Sequence, residues 1–369
     1  MATYYLLIRA LVYEPNPFGL IMLSSLYLLL ATPVVWAGPT DRTGVKALSA
    51  RASLPSTFTW SSTDALIGPK EDSRNLDAIK DPSIVQYDGA YHVFASTVSE
   101  AAGYNLVYFT FTDFSSANNA TFHYLDETAI GSGYRAAPQV FYMHSQSLWY
   151  LIFQNGNAAY STNLDISNPD GWSEVETFYE SIPSSVTENI GNGSWLDFWT
   201  ICDSSDCYLF SSDDNGHLYR SSTSVTSFPS GFGEPTIALE DESNIYALYE
   251  ASNVYNVGGE YLLLVEAIGS DGYRYFRSWT TSNLDGTWTP LADSESNPFA
   301  RSTNVNFTGT EWTKSISHGE VVRSNVDQTM TIDTCGMRYL YQGLNPSATG
   351  NYNALPWELG LITLTNPSC

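Results

Sequence analysis

Residues Lys80 to Thr97 read KDPSIVQYDGAYHVFAST, two apolar runs on either side of an Asp-Gly turn. Val, Ile, Tyr and Phe are typical of strands, and an Asp-Gly pair between such runs is typical of a β-hairpin. Helical periodicity is almost absent after residue 60. Further runs of the same kind are Leu148–Phe153 (LWYLIF), Cys207–Ser211 (CYLFS), Tyr261–Glu266 (YLLLVE) and Met337–Gln342 (MRYLYQ). The sequence therefore predicts an all-β fold.

These runs belong to a larger repeat. A short apolar strand, a turn, a stronger apolar strand and a third strand rich in Tyr, Phe, Ser and Thr recur five times, starting near Asp81, Pro138, Asp197, Glu250 and Gly319. A period of roughly 50 residues with about four strands in each unit is typical of a propeller blade. The prediction is a five-bladed β-propeller. A β-sandwich or jelly roll is the competing fold, since it also consists of short strands.

The two ends of this region supply candidates for ring closure. Thr57 to Ser61 (TFTWS) could pair with the last blade, which would cover otherwise exposed sheet edges. Leu361 to Thr365 (LITLT) is a candidate last strand. We expect residues 57–369 to form a single propeller domain, with residues 38–56 as a linker or pro-segment.

The N-terminal residues 1–37 are predicted to be a secretory signal peptide. Leu20 to Ala37 is an apolar run that ends in a small residue, and Gly38 and Pro39 break the pattern. The preceding residues carry charge and proline, so either the charged region is unusually long or Met22 is the true start. A single-pass membrane anchor is the alternative, because the run approaches membrane-spanning length.

The composition restricts the partners. The chain has 369 residues and a formal net charge of −24. Binding to nucleic acid or to an anionic membrane surface needs clustered Lys and Arg, so both are disfavoured. A neutral polymer such as a plant polysaccharide would not be repelled. The acidic composition by itself also fits plain solubility.

Four cysteines are present, and in an oxidising compartment they allow three pairings. Cys202 and Cys207 flank a turn and could form a local bridge, while Cys335 with Cys369 would tether the C-terminus. Buried free thiols are the alternative, and metal ligation is disfavoured because no His lies at zinc-ligand spacing from either pair. Sequons for N-glycosylation lie at Asn119, Asn192 and Asn306, which fits a secretory route.

The candidate chemistry lies at the starts of the repeats. In a propeller the first strand of each blade lines the central axis, so an acidic residue there points into a shared funnel. Asp81, Asp197 and Glu250 open three of the five units at what we take to be the equivalent position, and a fourth unit offers His318 and Glu320. Buried carboxylates are costly unless paired or hydrogen-bonded, so their convergence indicates a functional site.

Three carboxyls without a metal fit glycoside hydrolysis, which needs an acid and a base or nucleophile. The acid must hold its proton at working pH, so burial or a neighbouring negative charge must raise its pKa. Motifs for a nucleophilic serine, a P-loop, a dinucleotide or zinc are absent from the sequence. Aromatic side chains such as Trp199, Tyr352 and Trp357 could contact a sugar ring, although packing in the core is the more common role.

Several long segments resemble glycoside hydrolase family 62, and the likeness runs from about Phe58 to Thr365, most closely to its fungal members. The segments are Lys80–Val85 (KDPSIV), Trp195–Asp203 (WLDFWTICD), Ser211–Arg220 (SSDDNGHLYR), Leu248–Tyr255 (LYEASNVY), Val265–Asp271 (VEAIGSD) and Leu355–Trp357 (LPW). The resemblance implies a five-bladed propeller and an inverting α-L-arabinofuranosidase that acts on arabinoxylan. The extended N-terminus departs from the family pattern.

The resemblance also implies roles for individual residues. Asp81 matches the general base that activates water, and Glu250 matches the general acid. Asp197 matches the carboxylate that tunes the pKa of the acid.

The substrate-binding residues implied by the resemblance are Lys80, Gln154 and Tyr352. His318 resembles a histidine associated with a structural calcium ion, which would need mostly water ligands.

Together these features predict a secreted, monomeric enzyme that needs no cofactor for its chemistry and has no membrane contact after signal removal. For inversion, the carboxyls of Asp81 and Glu250 should lie roughly 6.5–9.5 Å apart. A related propeller glycosidase, such as a β-xylosidase or an arabinanase, and a non-catalytic lectin-like propeller are the alternatives.

Overall fold

The computed structural model describes residues 54–369, which form five β-sheets with short helices between them. The α-helix is Ser184–Thr187, and the 3₁₀ helices are Phe114–Asn119, Leu125–Glu127, Pro169–Gly171, Ile245–Ala247, Ser302–Asn304, Thr334–Gly336 and Tyr352–Ala354. The strands are β1 (Trp60–Ser62), β2 (Ala78–Tyr87), β3 (Ala90–Ser99), β4 (Gly103–Phe111), β5 (His123–Tyr124), β6 (Ala136–Met143), β7 (Leu148–Gln154), β8 (Ala158–Asn163), β9 (Glu176–Thr177), β10 (Leu196–Cys202), β11 (Asp206–Ser212), β12 (His217–Ser224), β13 (Thr236–Glu240), β14 (Glu250–Val257), β15 (Glu260–Ile268), β16 (Arg274–Thr281), β17 (Thr289–Ser294), β18 (Asn297–Pro298), β19 (Val305–Phe307), β20 (Ser317–Val321), β21 (Arg338–Leu344) and β22 (Trp357–Leu364).

The sheets are the five blades of a propeller. Blades 1 to 4 are built from consecutive strands, β2–β5, β6–β9, β10–β13 and β14–β18, and blade 5 has the order β20-β21-β22-β1-β19. The first strands of the blades, β2, β6, β10, β14 and β20, contact one another in a closed ring. The predicted all-β fold and five-bladed propeller are confirmed, and the sandwich alternative is wrong.

Ring closure uses the N-terminal strand, as predicted. Trp60 of β1 pairs antiparallel with Leu364 of β22 and parallel with Val305 of β19. The indole of Trp60 is buried against Phe299, with ring centroids 5.2 Å apart, and its Nε1 donates to the Phe299 carbonyl oxygen at 2.6 Å. Chain segments from both ends of the domain therefore complete one sheet. Residues 361–364 of the candidate last strand form the end of β22, and Thr365 follows it. β22 lies inside the blade, because β1 and β19 pair beyond it.

Each blade packs between two others, so both faces of its inner strands are covered. All seven residues of β10 are buried, for example, as are all five of β20. Strands covered on both faces carry continuous apolar runs instead of alternating ones. This explains why segments such as Leu148–Phe153 are apolar throughout.

Every inner strand carries a β-bulge near its start, where its register with the second strand shifts by one residue. In four blades the bulged residue has a left-handed backbone, with φ of 47° at Asp81, 52° at Ala137, 56° at Asp197 and 56° at Ala251. Such a conformation is unfavourable for residues other than glycine, and bulges re-aim the side chains beside them. The bulges therefore aim the ends of the inner strands at the axis.

Hydrogen bonds between adjacent blades hold these bulges in place. In every blade the backbone N–H of the bulged residue donates to a side-chain oxygen from the preceding blade. The bonds run from Asp81 to Gln342 (2.7 Å), Ala137 to Ser96 (2.9 Å), Asp197 to Gln154 (2.7 Å), Ala251 to Asp197 (2.9 Å) and His318 to Glu266 (2.6 Å). This ring of contacts fixes the inner ends of the five blades relative to one another.

The cysteines form two disulfides, Cys202–Cys207 and Cys335–Cys369. The first joins β10 to β11 at a directly opposed pair, and the second fastens the C-terminal residue to the segment before β21. This is one of the three pairings that the sequence left open, and the free-thiol alternative is wrong.

The predicted signal peptide and most of the predicted linker lie outside residues 54–369. None of the helices within the described range combines the length and hydropathy that crossing a bilayer requires.

Candidate active site

A cavity of ≈ 390 Å³ opens at the axis, at the end of the propeller where the inner strands begin. This volume lies in the usual range for small-molecule sites. Its wall contains all seven residues that the sequence singled out as catalytic, substrate-binding or metal-binding. The lining residues are Lys80, Asp81, Tyr104, Tyr134, Ala136, Gln154, Ser194, Leu196, Asp197, Asp214, Tyr249, Glu250, Arg274, His318 and Tyr352.

The three predicted acids do not occupy one equivalent position. Asp81 and Asp197 are bulged residues, but the bulged residue of blade 4 is Ala251. Glu250 is the residue before the bulge, so it corresponds to Lys80 in blade 1. The sequence pattern therefore placed the start of blade 4 one residue too early, because a bulge does not change the spacing of the apolar residues. Glu250 still reaches the cavity, because this position also faces the axis.

The repeat starts assigned to two other blades were also displaced by one residue. The bulged residues are Ala137 and His318, whereas the sequence pattern indicated Pro138 and Gly319. The reason is the same, since the pattern shows only where an apolar run begins.

Asp81 and Asp197 both lie near the same ring nitrogen of His318. Its Nδ1 is 3.5 Å from Asp81 Oδ1 and 3.6 Å from Asp197 Oδ2. Burial, followed by the negative charges of Glu250 and Asp81, raises the pKa of Asp197 well above its usual range. One oxygen of Asp197 accepts the N–H of Ala251, which ties the carboxyl to blade 4.

Glu250 is paired with Arg274, whose Nη1 also contacts Glu266. Burial alone would raise the pKa of Glu250, but the positive charges of Arg274 and Lys80 hold it below its usual value. The pKa of the predicted general acid is therefore lowered, while that of Asp197 is raised. These directions differ from the expectation that its surroundings raise the pKa of the acid.

Glu266 and Arg274 were missed by the sequence analysis. Glu266 is fully buried; its second oxygen accepts from Ser317 Oγ at 2.8 Å and from the His318 N–H at 2.6 Å. It therefore anchors Arg274 and joins blade 4 to blade 5. The sequence does contain a sign of this pair: Glu266 and Arg274 are charged residues within apolar strand segments, and buried charges are normally paired.

Asp214 is the third missed residue. It lies in the turn between β11 and β12, and burial together with the charges of Glu250 and Asp197 raises its pKa to about 9. The stretch SSDDNG reads as an ordinary polar turn, so the sequence offered no reason to place Asp214 in the cavity.

Lys80 and Tyr352 lie together at the wall. The Lys80 ammonium donates to Tyr104 Oη at 2.9 Å and to Tyr352 Oη at 3.1 Å. Burial opposes its charge, yet Tyr352 and Asp81 raise the pKa of Lys80 well above its usual value. Tyr352 is 42% exposed, so it borders the opening. A fixed cation with two hydroxyls suits the recognition of sugar hydroxyl groups.

Gln154 holds the backbone of Asp197. Its Oε1 accepts the Asp197 N–H at 2.7 Å, and its Nε2 donates to Tyr134 Oη at 2.5 Å. Both polar atoms of this predicted substrate residue are therefore engaged with the protein. Of the aromatic candidates, Trp199 and Trp357 are core residues, each 3% exposed.

Glu320, which the sequence offered beside His318, is absent from the cavity wall. It is fully buried, pairs with Arg323 at 2.6 Å, and accepts from Ser83 Oγ and the Ile84 N–H. Through these bonds to Ser83 and Ile84, Glu320 links blade 5 to blade 1 outside the cavity wall.

His318 is the residue for which the sequence predicted a nearby structural calcium ion. Within residues 54–369, no three His, Cys, Asp or Glu side chains converge so that they could hold a metal ion. Calcium takes six to eight oxygen ligands, whereas His318 offers one ring nitrogen near two carboxylates. The structural calcium stays a prediction.

A five-bladed propeller with an acidic pocket on its axis is the arrangement of a propeller glycosidase, since several carboxyls with unlike pKa values meet there. The chain belongs to glycosyl hydrolase family 62, whose model matches residues 59–363.

A curated relative supports this family assignment. α-L-Arabinofuranosidase C of Cellvibrio japonicus (strain Ueda107) is 44% identical over 322 residues, which is 86% of this chain and 48% of that protein. The chain thus spans about half the length of this curated relative.

Solved structures of the family are also similar. The catalytic domain of the family 62 α-L-arabinofuranosidase of Coprinopsis cinerea has 61% identity and a TM-score of 0.84, covering 86% of this chain and all of that one (100%). The α-L-arabinofuranosidase of Podospora anserina in complex with cellotriose has 57% identity and a TM-score of 0.84, covering 86% and 99% of the two chains. A family 62 hydrolase in complex with xylotriose has 56% identity and a TM-score of 0.81, covering 84% and 98%.

Proposed function

We propose that the protein is an inverting α-L-arabinofuranosidase that removes arabinofuranosyl side chains from arabinoxylan. The observation that carries the proposal is the meeting of Asp81, Asp197 and Glu250, from three different blades, in one axial cavity. Family membership and the names of the relatives support the activity. The relatives crystallised with cellotriose and xylotriose support a carbohydrate substrate.

The shape of the cavity supports cleavage of a side chain. It lies on the axis of the propeller and its volume of ≈ 390 Å³ is large enough for one sugar unit, so a polymer backbone would remain outside its mouth. Tyr134 and Tyr352 are 46% and 42% exposed at the wall and could contact sugar rings there. Lys80 and the tyrosine hydroxyls would orient the hydroxyls of the bound sugar.

In the proposed reaction Asp81 takes a proton from a water molecule, which attacks the anomeric carbon. Glu250 donates a proton to the leaving xylosyl oxygen on the other side. The two residues come from blades 1 and 4, which are not neighbours in the ring, so the cavity lies between them. For inversion the two carboxyls must leave room for the water between the base and the sugar, a separation of roughly 6.5–9.5 Å.

Asp197 would act through charge and position. Its carboxyl, whose pKa is raised, lies near His318 Nδ1, as does that of Asp81, and its bond from the Ala251 N–H fixes the residue next to Glu250. When Asp197 loses its proton, its negative charge would raise the pKa of Glu250 and favour the acidic form.

The experiment is a kinetic comparison of Asp81→Ala, Asp197→Ala and Glu250→Ala with the unmodified enzyme on arabinoxylan. Each variant should lose at least about 10²-fold in turnover, the usual contribution of an acid–base group, with an unchanged circular dichroism spectrum. Parallel assays on arabinan and xylo-oligosaccharides separate the proposal from a related glycosidase. A near-normal rate in any variant would remove that residue from the scheme, and no arabinose release by the unmodified enzyme would refute the activity.

We also propose that the protein is secreted as a monomer. Two disulfides fit an oxidising compartment, and the asparagines of all three sequons are exposed. The apolar run that predicts the signal peptide lies outside the described residues. N-terminal sequencing of protein from the culture medium tests secretion, endoglycosidase treatment tests glycosylation, and size-exclusion chromatography tests the monomeric state. An intact N-terminus retained in the membrane fraction would contradict secretion.

A further inference from the structure

The turn between β11 and β12 is built to hold one carboxyl in the cavity. Asp213, fully buried, accepts from the N–H groups of Asn215 and His217, from His217 Nδ1 at 2.7 Å and from Tyr219 Oη at 2.8 Å. A neighbouring loop closes on the same turn, since a Cβ at Gly193 would lie 1.8 Å from the Asp213 carbonyl oxygen. The turn is therefore fixed by side chains that do not reach the cavity.

Asp214 is the residue that this turn presents. Its backbone is left-handed, with φ of 57°, a conformation that costs on the order of 1 kcal/mol for residues other than glycine. Its side chain lies in the cavity wall, where its carboxyl is hydrogen-bonded to that of Glu250. Its Oδ1 is buried and has no hydrogen-bond partner.

Two carboxyls in contact share a proton, because two adjacent negative charges in a buried site repel each other strongly. The charged or titratable groups that face Asp214 are Glu250, Asp197, Arg274 and Tyr249. Of these, only Arg274 is cationic, and it is already paired with Glu250 and with Glu266. Lys80, whose charge also acts on Glu250, is engaged with Tyr104 and Tyr352, so within residues 54–369 no cation pairs with the carboxyl of Asp214.

We infer that Asp214 is a positioning residue that stores the proton which Glu250 delivers to the leaving oxygen. The inference rests on the proposed function and goes beyond it by adding a fourth carboxyl to the reaction. The pKa directions agree with this geometry, since that of Asp214 is raised to about 9 while Arg274 and Lys80 outweigh burial and lower that of Glu250.

The proton balance closes. As the bond between the anomeric carbon and the xylosyl oxygen breaks, the proton of Asp214 passes to Glu250, which donates it to that oxygen. Asp81 receives the proton of the attacking water as the new carbon–oxygen bond forms. After the products leave, water carries that proton from Asp81 back to Asp214. No oxidant, reductant or further reactant is needed.

The test is Asp214→Asn, which keeps the shape of the side chain and a hydrogen-bond donor toward Glu250 but has no proton to release. The pH profile of kcat/KM is measured on an arabinoxylo-oligosaccharide and on an aryl arabinofuranoside whose leaving group needs no acid. We expect the alkaline limb for the oligosaccharide to move down by at least one pH unit, about tenfold less activity at neutral pH. The aryl substrate should lose less than about threefold.

The matched control is Glu242→Gln, which removes one carboxylate whose side chain is 77% exposed and lies 3.8 Å from His217. The pH profile of kcat/KM for Glu242→Gln should match that of the unmodified enzyme. An unchanged limb in Asp214→Asn, or an equal loss on both substrates at every pH, would overturn the inference.

Infrared titration of the resting enzyme locates the proton without any turnover. The band of a protonated carboxyl should persist at neutral pH and weaken in Asp214→Asn but not in Glu242→Gln. If the unmodified enzyme releases no arabinose, the proposed function fails, and the infrared result still decides where the proton resides. An identical band in both variants would overturn the inference independently.

Discussion

Replacing Arg274 with methionine should destabilise the protein, because this guanidinium is the counter-ion of two buried carboxylates. The side chain of Arg274 is 12% exposed, that of Glu250 17%, and that of Glu266 is fully buried. Methionine fills a similar volume but leaves Glu266 with only Ser317 Oγ and the His318 N–H as partners.

The size of the effect follows from the burial. Removing one partner of a buried ion pair costs about 3–5 kcal/mol, because the remaining charge has lost its compensation. At roughly 2 °C per kcal/mol for a large domain, the melting temperature should fall by about 6–10 °C at pH 7. The matched control is Lys314→Met, which breaks an exposed pair with Glu311 and should cost at most about 1 kcal/mol.

The loss should depend on pH in a defined direction. Burial already raises the pKa of Glu266 above 4.5, and removal of Arg274 raises it further. The folded variant then binds more protons than the unfolded chain between pH 4.5 and its raised pKa, so its stability falls as pH rises through that window. Differential scanning calorimetry at several pH values measures this. A pH-independent loss, or one no larger than in Lys314→Met, would refute the assigned role of Arg274.

Three other predictions address stability and turnover. Gln154→Leu should cost about 1–3 kcal/mol by leaving the buried Asp197 N–H without an acceptor, and should lower kcat more than it raises KM; a normal kcat would contradict the positioning role. Asp214→Asn should raise the melting temperature more at pH 7 than at pH 4. The pKa of Asp214 is about 9 in the folded protein and 3.8 ordinarily, so the wild-type carboxyl destabilises the fold increasingly as pH rises between these values. An equal change in melting temperature at both pH values would contradict this. Replacing Cys335 and Cys369 with serine should cost about 2–4 kcal/mol, since the bridge closes a loop with a sequence separation of 34; calorimetry showing no change would mean that the bridge restricts the unfolded chain very little.

The propeller could be predicted from the sequence because each repeat contains recognisable apolar strand segments. Segments such as Leu148–Phe153 are apolar on both faces, and their regular recurrence separates blades from the irregular strands of a sandwich. Asp81 and Asp197 could be found because a carboxylate at the start of such a run has little structural reason to be there.

Other features of the site could not be predicted, because no pattern in the amino-acid sequence indicates them. The bulges that set the position of Glu250 one residue before that of Asp81 do not alter the hydrophobic pattern. Arg274 and Asp214 come from a third strand and a turn, so only the assembled ring places them beside Glu250. The protonation of the site could not be predicted either, because it depends on which of several carboxyls lies against that one guanidinium.

The central claim is that a base on blade 1 and an acid on blade 4 act from opposite sides of one sugar held on the axis. Time-resolved proton NMR of arabinoxylan digestion tests it most directly, because it reports both the bond cleaved and the configuration of the first product. Asp81 and Glu250 acting in this way should release arabinose whose first-formed anomer is β, with free anomers equilibrating later. Release of the α anomer first, or oligosaccharides shortened in the xylan backbone without free arabinose, would contradict it.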